Sequence, residues 1–448
     1  MYSFPILVSN FRFDASNMKK VLWFVVFIIH APIIMAQAYT SYFTGNSVNL
    51  PTNPKGGMCL MGGATEDDNA MKWFLEQSDV GDILVLRASG SDGYNSYLYS
   101  SLGVPVNSVE TIVFNTITAS YDSYVHQKIN DAEAIWLAGG DQWDYVTLWR
   151  DTPIADLINS AVADRNIVIG GTSAGMAVLG DYYFSAEYGT VTSSSALNNP
   201  YDIRVRVDSN AFFENEFMQN VITDTHYDDP DRRGRHVAFL ARMYTDYGVE
   251  GKGIACDEYT AVCIDTNGLA QVFGGYPTYD DNAYFVQLNC ELMDLSPENC
   301  TPGYSLNWNL SGEAIKACQI KGTSSGSNTF NLTSWTSAFG SWNNWSVNNG
   351  VFQEEIGDEV RCESNGITSN QLNLAIKVSP NPAINYVRLS SNHTINVVSL
   401  YNMQGENIFK YRFQSNSIQL NFEDINSGIY SLLIENDQGR VVKKLIVE

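Results

Sequence analysis

A serine flanked by glycines, in the segment Gly171-Thr172-Ser173-Ala174-Gly175, is the first place in this chain where residue types and spacing indicate chemistry. The Gly-x-Ser-x-Gly spacing is typical of a nucleophile elbow, in which a serine lies on a sharp turn between a strand and a helix. Apolar residues precede the segment and helix-prone residues follow it. The sequence therefore predicts a strand, a turn and a helix with the Ser173 hydroxyl exposed. The alternative is a tight strand-to-helix turn with a purely structural role.

A serine nucleophile needs a base, and histidine is the usual one because its pKa lies near neutral pH. The chain has five histidines, and two of them fall in the N-terminal apolar segment and the C-terminal section. Of the other three, His126 and His236 fall in helix-like runs, whereas His226 follows an apolar run at a predicted strand end. We select His226 because the site residues of an open α/β sheet lie at strand ends.

Apolar runs alternate with helix-like segments between residues 57 and 263, and the runs are continuous. Continuous apolar runs are typical of strands buried on both faces. This order predicts an α/β fold with a doubly wound, mostly parallel sheet. The predicted strands are 58–61, 83–86, 111–114, 134–137 and 166–170. Both Gly139-Gly140 and Ser173 then fall at the carboxyl edge of the sheet, where ligands bind in such folds.

The composition excludes several functional classes. The formal net charge of the 448-residue chain is −23 at pH 7, which argues against nucleic acid and anionic membranes as partners, since both need a basic surface. No glycine segment has the spacing of a dinucleotide or Walker motif, so no nucleotide cofactor is expected. No cysteine pair has Cys-x-x-Cys spacing, so no metal is expected. Cys290 with Cys300, or Cys318 with Cys362, are disulfides that the sequence leaves open.

The first 38 residues have the features of a secretory signal peptide. A basic start, an apolar core and a small-x-small cleavage pattern occupy residues 18–20, 21–29 and 36–38. We expect residues 1–38 to be an upstream extension and signal peptide, with either Met1 or Met18 as the start and the mature chain beginning near Tyr39. No other apolar run is long enough for a transmembrane segment.

Two further sections follow a predicted catalytic domain at residues 39–282. Residues 283–372 are rich in Asn, Ser, Thr and Gly and contain Trp308, Trp335, Trp342 and Trp345. This composition predicts a small Trp-rich β module, in which aromatic rings pack a core or stack on a ligand.

Residues 373–448 form the last predicted domain. The section opens with Ser379-Pro380-Asn381-Pro382, has alternating strands separated by turn residues, and ends in a basic, apolar run. It resembles the C-terminal sorting domain of the type IX (Por) secretion system, which implies a β-sandwich-like fold. The resemblance also implies contact with the type IX machinery and export through the periplasm and outer membrane, to the medium or the cell surface.

Residues 39–282 resemble peptidase family S51 and, within it, the cyanophycinases. Four motifs in the family order carry the resemblance: Gly-Gly-Asp-Gln at 139–142, Gly-Thr-Ser-Ala-Gly at 171–175, Asp-x-His-aromatic with Arg-x-x-Arg at 224–235, and Gly-Ile-x-x-Asp-Glu-x-Thr-Ala at 253–261. The resemblance implies a class I glutamine amidotransferase-like fold and a serine-type peptidase. It implies Ser173 as nucleophile, His226 as general base and Glu187 as the acid, with Asp181 as a local rival.

The resemblance also implies how substrate is held. Backbone N–H groups of Ala174 and Gly140 would stabilise the oxyanion. Positions near the substrate are Gln142, Asp224, Arg232 and Arg235. The substrate implied is a cyanophycin-like polymer or another peptide with acidic or β-aspartyl-arginine units. A carboxylate such as Asp224 would hold a guanidinium, and the arginines would hold aspartate carboxylates. A homodimer is one assembly that the sequence leaves open.

The chain departs from the cyanophycinase pattern at two positions. Thr225 stands where glutamine is usual, and Pro230 stands where a further arginine is expected, with Arg233 nearby. These departures concern the substrate and not the catalytic class. Two other functions stay in competition. An esterase of the α/β-hydrolase type shares the Gly-x-Ser-x-Gly pattern, although its acid and base usually follow several further elements. A non-catalytic polymer-binding protein would use the pocket and the Trp-rich module without turnover.

Overall fold

The computed structural model describes residues 37–209, 212–360, 376–402, 407–422, 425–436 and 439–447. The predicted signal sequence, apart from its last two residues, lies outside these ranges. The chain divides into two compact units, one up to Val360 and one from Arg361 onward.

The first unit alternates strands and helices along its N-terminal two thirds and is mostly strands thereafter. Its strands are β1 (Tyr39–Gly45), β2 (Met58–Met61), β3 (Asp82–Arg87), β4 (Ser108–Phe114), β5 (Ala134–Leu137), β6 (Val168–Thr172), β7 (Tyr183–Phe184), β8 (Val207–Asp208), β9 (Val221–Asp224), β10 (Lys252–Cys256), β11 (Ala261–Ile264), β12 (Leu269–Tyr276), β13 (Asn282–Leu288), β14 (Ile315–Lys321), β15 (Asn328–Asn331), β16 (Ser341–Asn348) and β17 (Val351–Ile356). Its α-helices are α1 (Asp68–Gln77), α2 (Gly93–Ser96), α3 (Ser123–Asp131), α4 (Gln142–Trp149), α5 (Pro153–Arg165), α6 (Ala174–Ala177), α7 (Ser193–Asn198) and α8 (Arg233–Tyr247).

The main sheet has the strand order β1-β4-β3-β5-β6-β2-β11-β12-β15 within the described residues. Its centre is parallel, because β3 pairs in parallel with β4 and β5, and β6 pairs in parallel with β5 and β2. Successive side chains of β3 lie on opposite faces of the sheet and belong to two separate hydrophobic cores. Leu84 and Leu86 pack with helices α3 to α5, whereas Ile83 and Val85 pack with α1. Both faces of the sheet are therefore buried, and the predicted doubly wound α/β fold is confirmed.

A second sheet completes the unit, with the order β17-β16-β14-β13-β10-β9. Strands β9 and β10 are parallel neighbours. Their carboxyl ends consequently lie at one edge of this sheet, and the segments after both strands can reach the same site.

The segment 283–372, set apart in the sequence as a Trp-rich module, is divided differently in the structure. Strands β14, β16 and β17 extend the second sheet and β15 extends the first, so the described part of this segment, residues 283–360, belongs to the same compact unit as β1 to β12. The tryptophans of this segment are buried; they are Trp308, Trp335, Trp342 and Trp345. Their rings pack the core beneath the added strands. None of the four rings is therefore exposed for a ligand to stack on.

The second unit contains β18 (Lys377–Ser379), β19 (Tyr386–Tyr401), β20 (Asn407–Asn421), β21 (Gly428–Asn436) and β22 (Gly439–Val447). These strands form one antiparallel sheet around a core of aliphatic side chains. A β-rich final module agrees with the alternating pattern of the sequence.

The cysteines do not pair in either way that the sequence left open. Cys300 and Cys318 are free and buried, and Cys290 is disulfide-bonded. Among the described residues, no helix combines the length and the apolar character that a membrane span requires.

Candidate active site

Ser173 lies on a strained turn between β6 and α6. Its backbone has φ 52° and ψ −115°, a region that non-glycine residues rarely adopt. The flanking glycines are required by space: a Cβ on Gly175 would lie 2.0 Å from the carbonyl oxygen of Leu137, and one on Gly171 would lie 2.6 Å from the backbone of Gly175. The turn therefore has the geometry of the predicted nucleophile elbow, and strain of this kind is concentrated at functional sites.

His226 lies directly beside this serine. The Ser173 Oγ atom is 2.8 Å from His226 Nε2, which is hydrogen-bond distance. The histidine follows β9, and its backbone N–H donates to the carbonyl of Gly62 at 2.8 Å. Its ring packs where Gly63 has no side chain, since a Cβ there would lie 2.4 Å from the ring. The predicted serine and histidine are thus brought together by the ends of β2, β6 and β9.

Glu258 completes a hydrogen-bonded chain. Its Oε1 atom lies 2.6 Å from His226 Nδ1. The glutamate follows β10, and its own backbone N–H donates to Asp228 Oδ1 at 2.9 Å. A carboxylate at Nδ1 favours the tautomer in which Nδ1 carries the proton, so that Nε2 is free to accept the proton of the Ser173 hydroxyl.

The structure corrects the carboxylate expected from the sequence. Glu187 pairs with Arg206, with Oε2 3.4 Å from the arginine Nε. Its rival Asp181 accepts a hydrogen bond from the backbone N–H of Asn220 at 2.8 Å. Neither contact involves His226, and the position that Glu187 was expected to fill is occupied by Glu258.

The sequence contains a signal for Glu258 within the Gly-Ile-x-x-Asp-Glu-x-Thr-Ala motif at 253–261. The Asp257-Glu258 pair ends the apolar run of β10, in the same way that His226 follows the apolar run of β9. Two strand ends that are adjacent and parallel meet at one edge. The family resemblance implies Glu187, whereas in the structure the sheet order determines that Glu258 makes the contact.

A cavity of about 330 Å³ opens over the serine and histidine. Its lining includes five residues that the sequence assigned to the site besides the nucleophile, namely Gly140, Gln142, His226, Arg232 and Arg235. Gln142 begins α4, and its side-chain amide donates to the carbonyl of Phe184 at 3.3 Å. Ala174 is buried immediately after the nucleophile. A Cβ on Gly139 would lie 3.7 Å from the Ser173 Cβ, so the glycine turn approaches the serine closely.

Asp224 does not face the cavity as a free carboxylate. It is buried, with 2% of its surface exposed, and forms a two-point ion pair with Arg235, whose Nε lies 2.9 Å from Oδ2 and whose Nη2 contacts Oδ1. Burial alone would raise the pKa of Asp224, but the adjacent Arg235 guanidinium outweighs it and holds the pKa below its usual value. The expected role of Asp224 in holding a substrate guanidinium therefore conflicts with the structure, because Arg235 already fills that place.

Because Arg235 is paired with Asp224, Arg232 is the arginine of this site that can bind an anionic ligand. Its Nη1 donates to the backbone carbonyl of Thr225 at 2.9 Å, and the ion pairs among the described residues do not include it. Partial burial, and then repulsion from Arg235, lower its pKa. An arginine held in this way can bind a carboxylate through its remaining N–H groups.

Two buried titratable groups lie close to these residues without joining the hydrogen-bonded chain. Burial raises the pKa of Asp257, which precedes Glu258, to about 7. Burial lowers the pKa of His236 to about 4, and its Nδ1 lies 3.1 Å from the hydroxyl of Tyr227. His236 is thus neutral and structural near pH 7. In the part of the chain covered by the structure, no cluster of three or more His, Cys, Asp or Glu side chains is arranged to hold a metal ion.

Two parts of the chain match known protein families. Residues 87–271 match the family model described as Peptidase family S51. The chain carries a peptidase S51 domain. Residues 377–448 match the model of the Secretion system C-terminal sorting domain, so the chain is directed to secretion or the cell surface through the type IX system.

Individual relatives are distant. The chain is similar to a cyanophycinase of Trichormus variabilis, with 26% identity over 152 residues, or 34% of this chain and 46% of that protein. It is also similar to the cyanophycinase of Geminocystis herdmanii, with 27% identity over 154 residues, or 34% and 49% of the two chains. The chain thus spans about half the length of the curated relatives that it matches.

Solved structures also match parts of the chain. A peptidase from an acI-B1 Actinobacterium has 16% identity and a TM-score of 0.36, covering 50% of this chain and 89% of that one. A putative Peptidase E protein from Listeria monocytogenes EGD-e has 15% identity and a TM-score of 0.32, covering 49% and 96%.

Proposed function

We propose that this protein is an exported serine peptidase of the cyanophycinase type, which cleaves acidic peptides through Ser173, His226 and Glu258. The observation that carries the proposal is the continuous hydrogen-bonded chain from the serine hydroxyl through both ring nitrogens of the histidine to the glutamate. Nucleophile, base and orienting carboxylate in this order are the requirement for serine-based acyl transfer.

The first half of the reaction forms an acyl-enzyme. Ser173 Oγ attacks the carbonyl carbon of the scissile amide and its proton passes to His226 Nε2, while the Nδ1 proton stays hydrogen-bonded to Glu258. The carbonyl oxygen becomes an oxyanion, for which the backbone N–H groups of Ala174 and Gly140 are the proposed donors. Collapse of this intermediate breaks the C–N bond, and the imidazolium returns its proton to the leaving amine.

The second half restores the enzyme. A water molecule gives a proton to His226 Nε2 as it attacks the acyl carbon, and the proton then returns to Ser173 Oγ as the ester bond breaks. The products are an amine from the first half and a carboxylic acid from the second.

The charges around the cavity favour a substrate with a carboxylate near the scissile bond. Arg232 carries a positive charge at the cavity without an ion-pair partner among the described residues, whereas the charge of Arg235 is matched by Asp224. Relatives named cyanophycinase support an aspartyl substrate. With Asp224 occupied, we propose that recognition rests on the aspartyl carboxylate and Arg232, with Gln142 contributing a polar contact.

The test is to incubate the full chain with cyanophycin, with aspartyl peptides and with simple acyl esters, and to identify products by mass spectrometry. We expect new amine and carboxyl termini from the aspartyl substrates, and none from the Ser173→Ala variant. Turnover of acyl esters alone would instead favour an esterase. Binding of the polymer without products from the wild-type protein would contradict the proposed hydrolysis.

A further inference from the structure

We propose that Glu354 is a positioning residue, which holds Arg232 at the active-site cavity by anchoring the neighbouring Arg233. The inference rests on the proposed function, because it concerns the site at which an acidic substrate would bind. Glu354 lies on β17, well beyond the residues 87–271 that match the S51 model. The strands added to this chain after the matched region would then have a direct role in the site.

Arg233 is held from two sides. Its Nη1 lies 2.6 Å from Glu354 Oε2, and its Nε and Nη2 lie 3.0 and 2.8 Å from the two carboxylate oxygens of Asp231. All three guanidinium nitrogens are therefore engaged. The Asp231 contact joins residues only two positions apart, so Glu354 supplies the charged connection to a separate part of the fold.

The Glu354 side of this connection is itself fixed. Trp345 donates from its indole Nε1 to Glu354 Oε1 at 2.8 Å, and the indole is completely buried. The guanidinium of Arg233 also lies 5.4 Å from the centre of the Phe352 ring, which packs edge-on against Trp345. A carboxylate held by a buried indole on a paired strand is a rigid anchor, because moving it would disturb the core.

The anchor acts on Arg232 through the backbone. Arg232 stands between Asp231 and Arg233, both of which are fixed by the ion pairs just described. Its own backbone N–H donates to the carbonyl of Tyr227 at 3.0 Å, and its Nη1 donates to Thr225. Without Glu354, Arg233 keeps its contacts with Asp231, two residues away, and with the Phe352 ring, but loses its charged contact with β17. The segment that carries Arg232 then gains freedom relative to the cavity. Small displacements of a binding group weaken its interaction with a ligand.

The test compares Glu354→Gln with Glu355→Gln in the Ser173→Ala background, so that binding is measured without turnover. The glutamine at 354 keeps an acceptor for Trp345 and removes the charge that holds Arg233. Glu355 is exposed on the same strand and serves as the matched control. By calorimetry with a tetra-aspartate peptide, we expect about tenfold weaker binding for Glu354→Gln and unchanged binding for Glu355→Gln. Both ion-pair partners are partly exposed, so the thermal midpoint should stay within about 2 °C.

A double-mutant cycle distinguishes positioning from general weakening. If Glu354 acts through Arg232, Glu354→Gln has no further effect once Arg232→Gln is present. Three results would each overturn the inference. They are equal binding by the Glu354→Gln and Glu355→Gln proteins, additive losses of binding in the cycle, and absence of binding by the Ser173→Ala protein. Turnover by the wild-type protein is measured separately, so a failure of the proposed hydrolysis appears there while the binding comparison still decides the role of Glu354.

Discussion

Glu258 Oε1 lies 2.6 Å from His226 Nδ1 although the two residues are 32 positions apart in the chain. The contact exists because β9 and β10 are parallel neighbours, and each residue lies just past the end of one of these strands. Glu258 thus occupies the place beside His226 that the sequence assigned to Glu187, and Glu187 pairs with Arg206 instead.

The choice between the two glutamates can be tested by parallel substitutions. Glu258→Gln removes the charge that stabilises the imidazolium and the preference for the Nδ1–H tautomer, so we expect kcat to fall by roughly 10³-fold. Glu187→Gln changes a contact with an exposed arginine, and kcat should stay within about threefold. Steady-state kinetics on an aspartyl peptide provide the measurement. A larger loss for Glu187→Gln than for Glu258→Gln would reverse the assignment.

Gly63 is expected to be essential for the position of His226. A methyl group at this position would lie 2.4 Å from the imidazole ring, so Gly63→Ala should displace the ring and lower kcat by about 100-fold. Gly103→Ala is the matched control, because Gly103 also has positive φ but has nothing within 4 Å of the added methyl group. If the two variants retained equal activity, the close packing of Gly63 on His226 would not matter for function.

Asp224 and Arg232 should respond differently to substitution, since one is a buried partner and the other is a proposed ligand group. Asp224→Asn leaves the buried Arg235 guanidinium without its counter-charge and should lower the free energy of unfolding by about 3–5 kcal/mol. Arg232→Gln should change that free energy by less than about 1 kcal/mol while raising KM for an acidic peptide. Urea unfolding and initial-rate kinetics separate the two effects. A stable Asp224→Asn protein with a KM defect alone would restore Asp224 as a substrate contact.

Asp257 should make stability depend on pH. Burial raises its pKa to about 7 in the folded protein, above the value of about 3.9 expected in the unfolded chain. The folded state therefore holds the proton more tightly, and this contribution to stability is full below about pH 4 and is lost as the pH rises through about 7. Between pH 5 and pH 8 the free energy of unfolding of the wild-type protein should fall by roughly 2–3 kcal/mol more than that of Asp257→Asn, because the asparagine side chain does not titrate in this range. Parallel stability curves for the two proteins would show that Asp257 has no raised pKa.

The sequence predicted the sheet well where burial alone determines a strand. Continuous apolar runs placed β2 at Met58–Met61 and β5 at Ala134–Leu137, as the structure has them. The strand before Ser173 was predicted at 166–170 but is Val168–Thr172. The prediction ends this strand at Gly170, whereas the structure continues it through Gly171, where a Cβ would lie 2.6 Å from the backbone of Gly175, to Thr172.

Contacts between distant strands could not be read from local patterns. The residues near Asp224 in the sequence do not indicate its ion pair with Arg235, which lies on the first turn of α8. Likewise, the polar composition after residue 282 predicted a separate module, although its strands pair with β12 and β13 and complete both sheets. Pairing between elements is a property of the whole fold, which is why the serine and histidine were found from the sequence and the carboxylate was not.

The central claim is that Ser173 is a nucleophile activated by His226, and covalent labelling tests it most directly. A fluorophosphonate reacts with an activated serine hydroxyl, and peptide mass spectrometry locates the adduct. We predict a single adduct on Ser173 in the wild-type protein, none in Ser173→Ala, and labelling slowed by at least about 100-fold in His226→Ala. An unlabelled wild-type protein, or an adduct that persists in Ser173→Ala, would contradict the account.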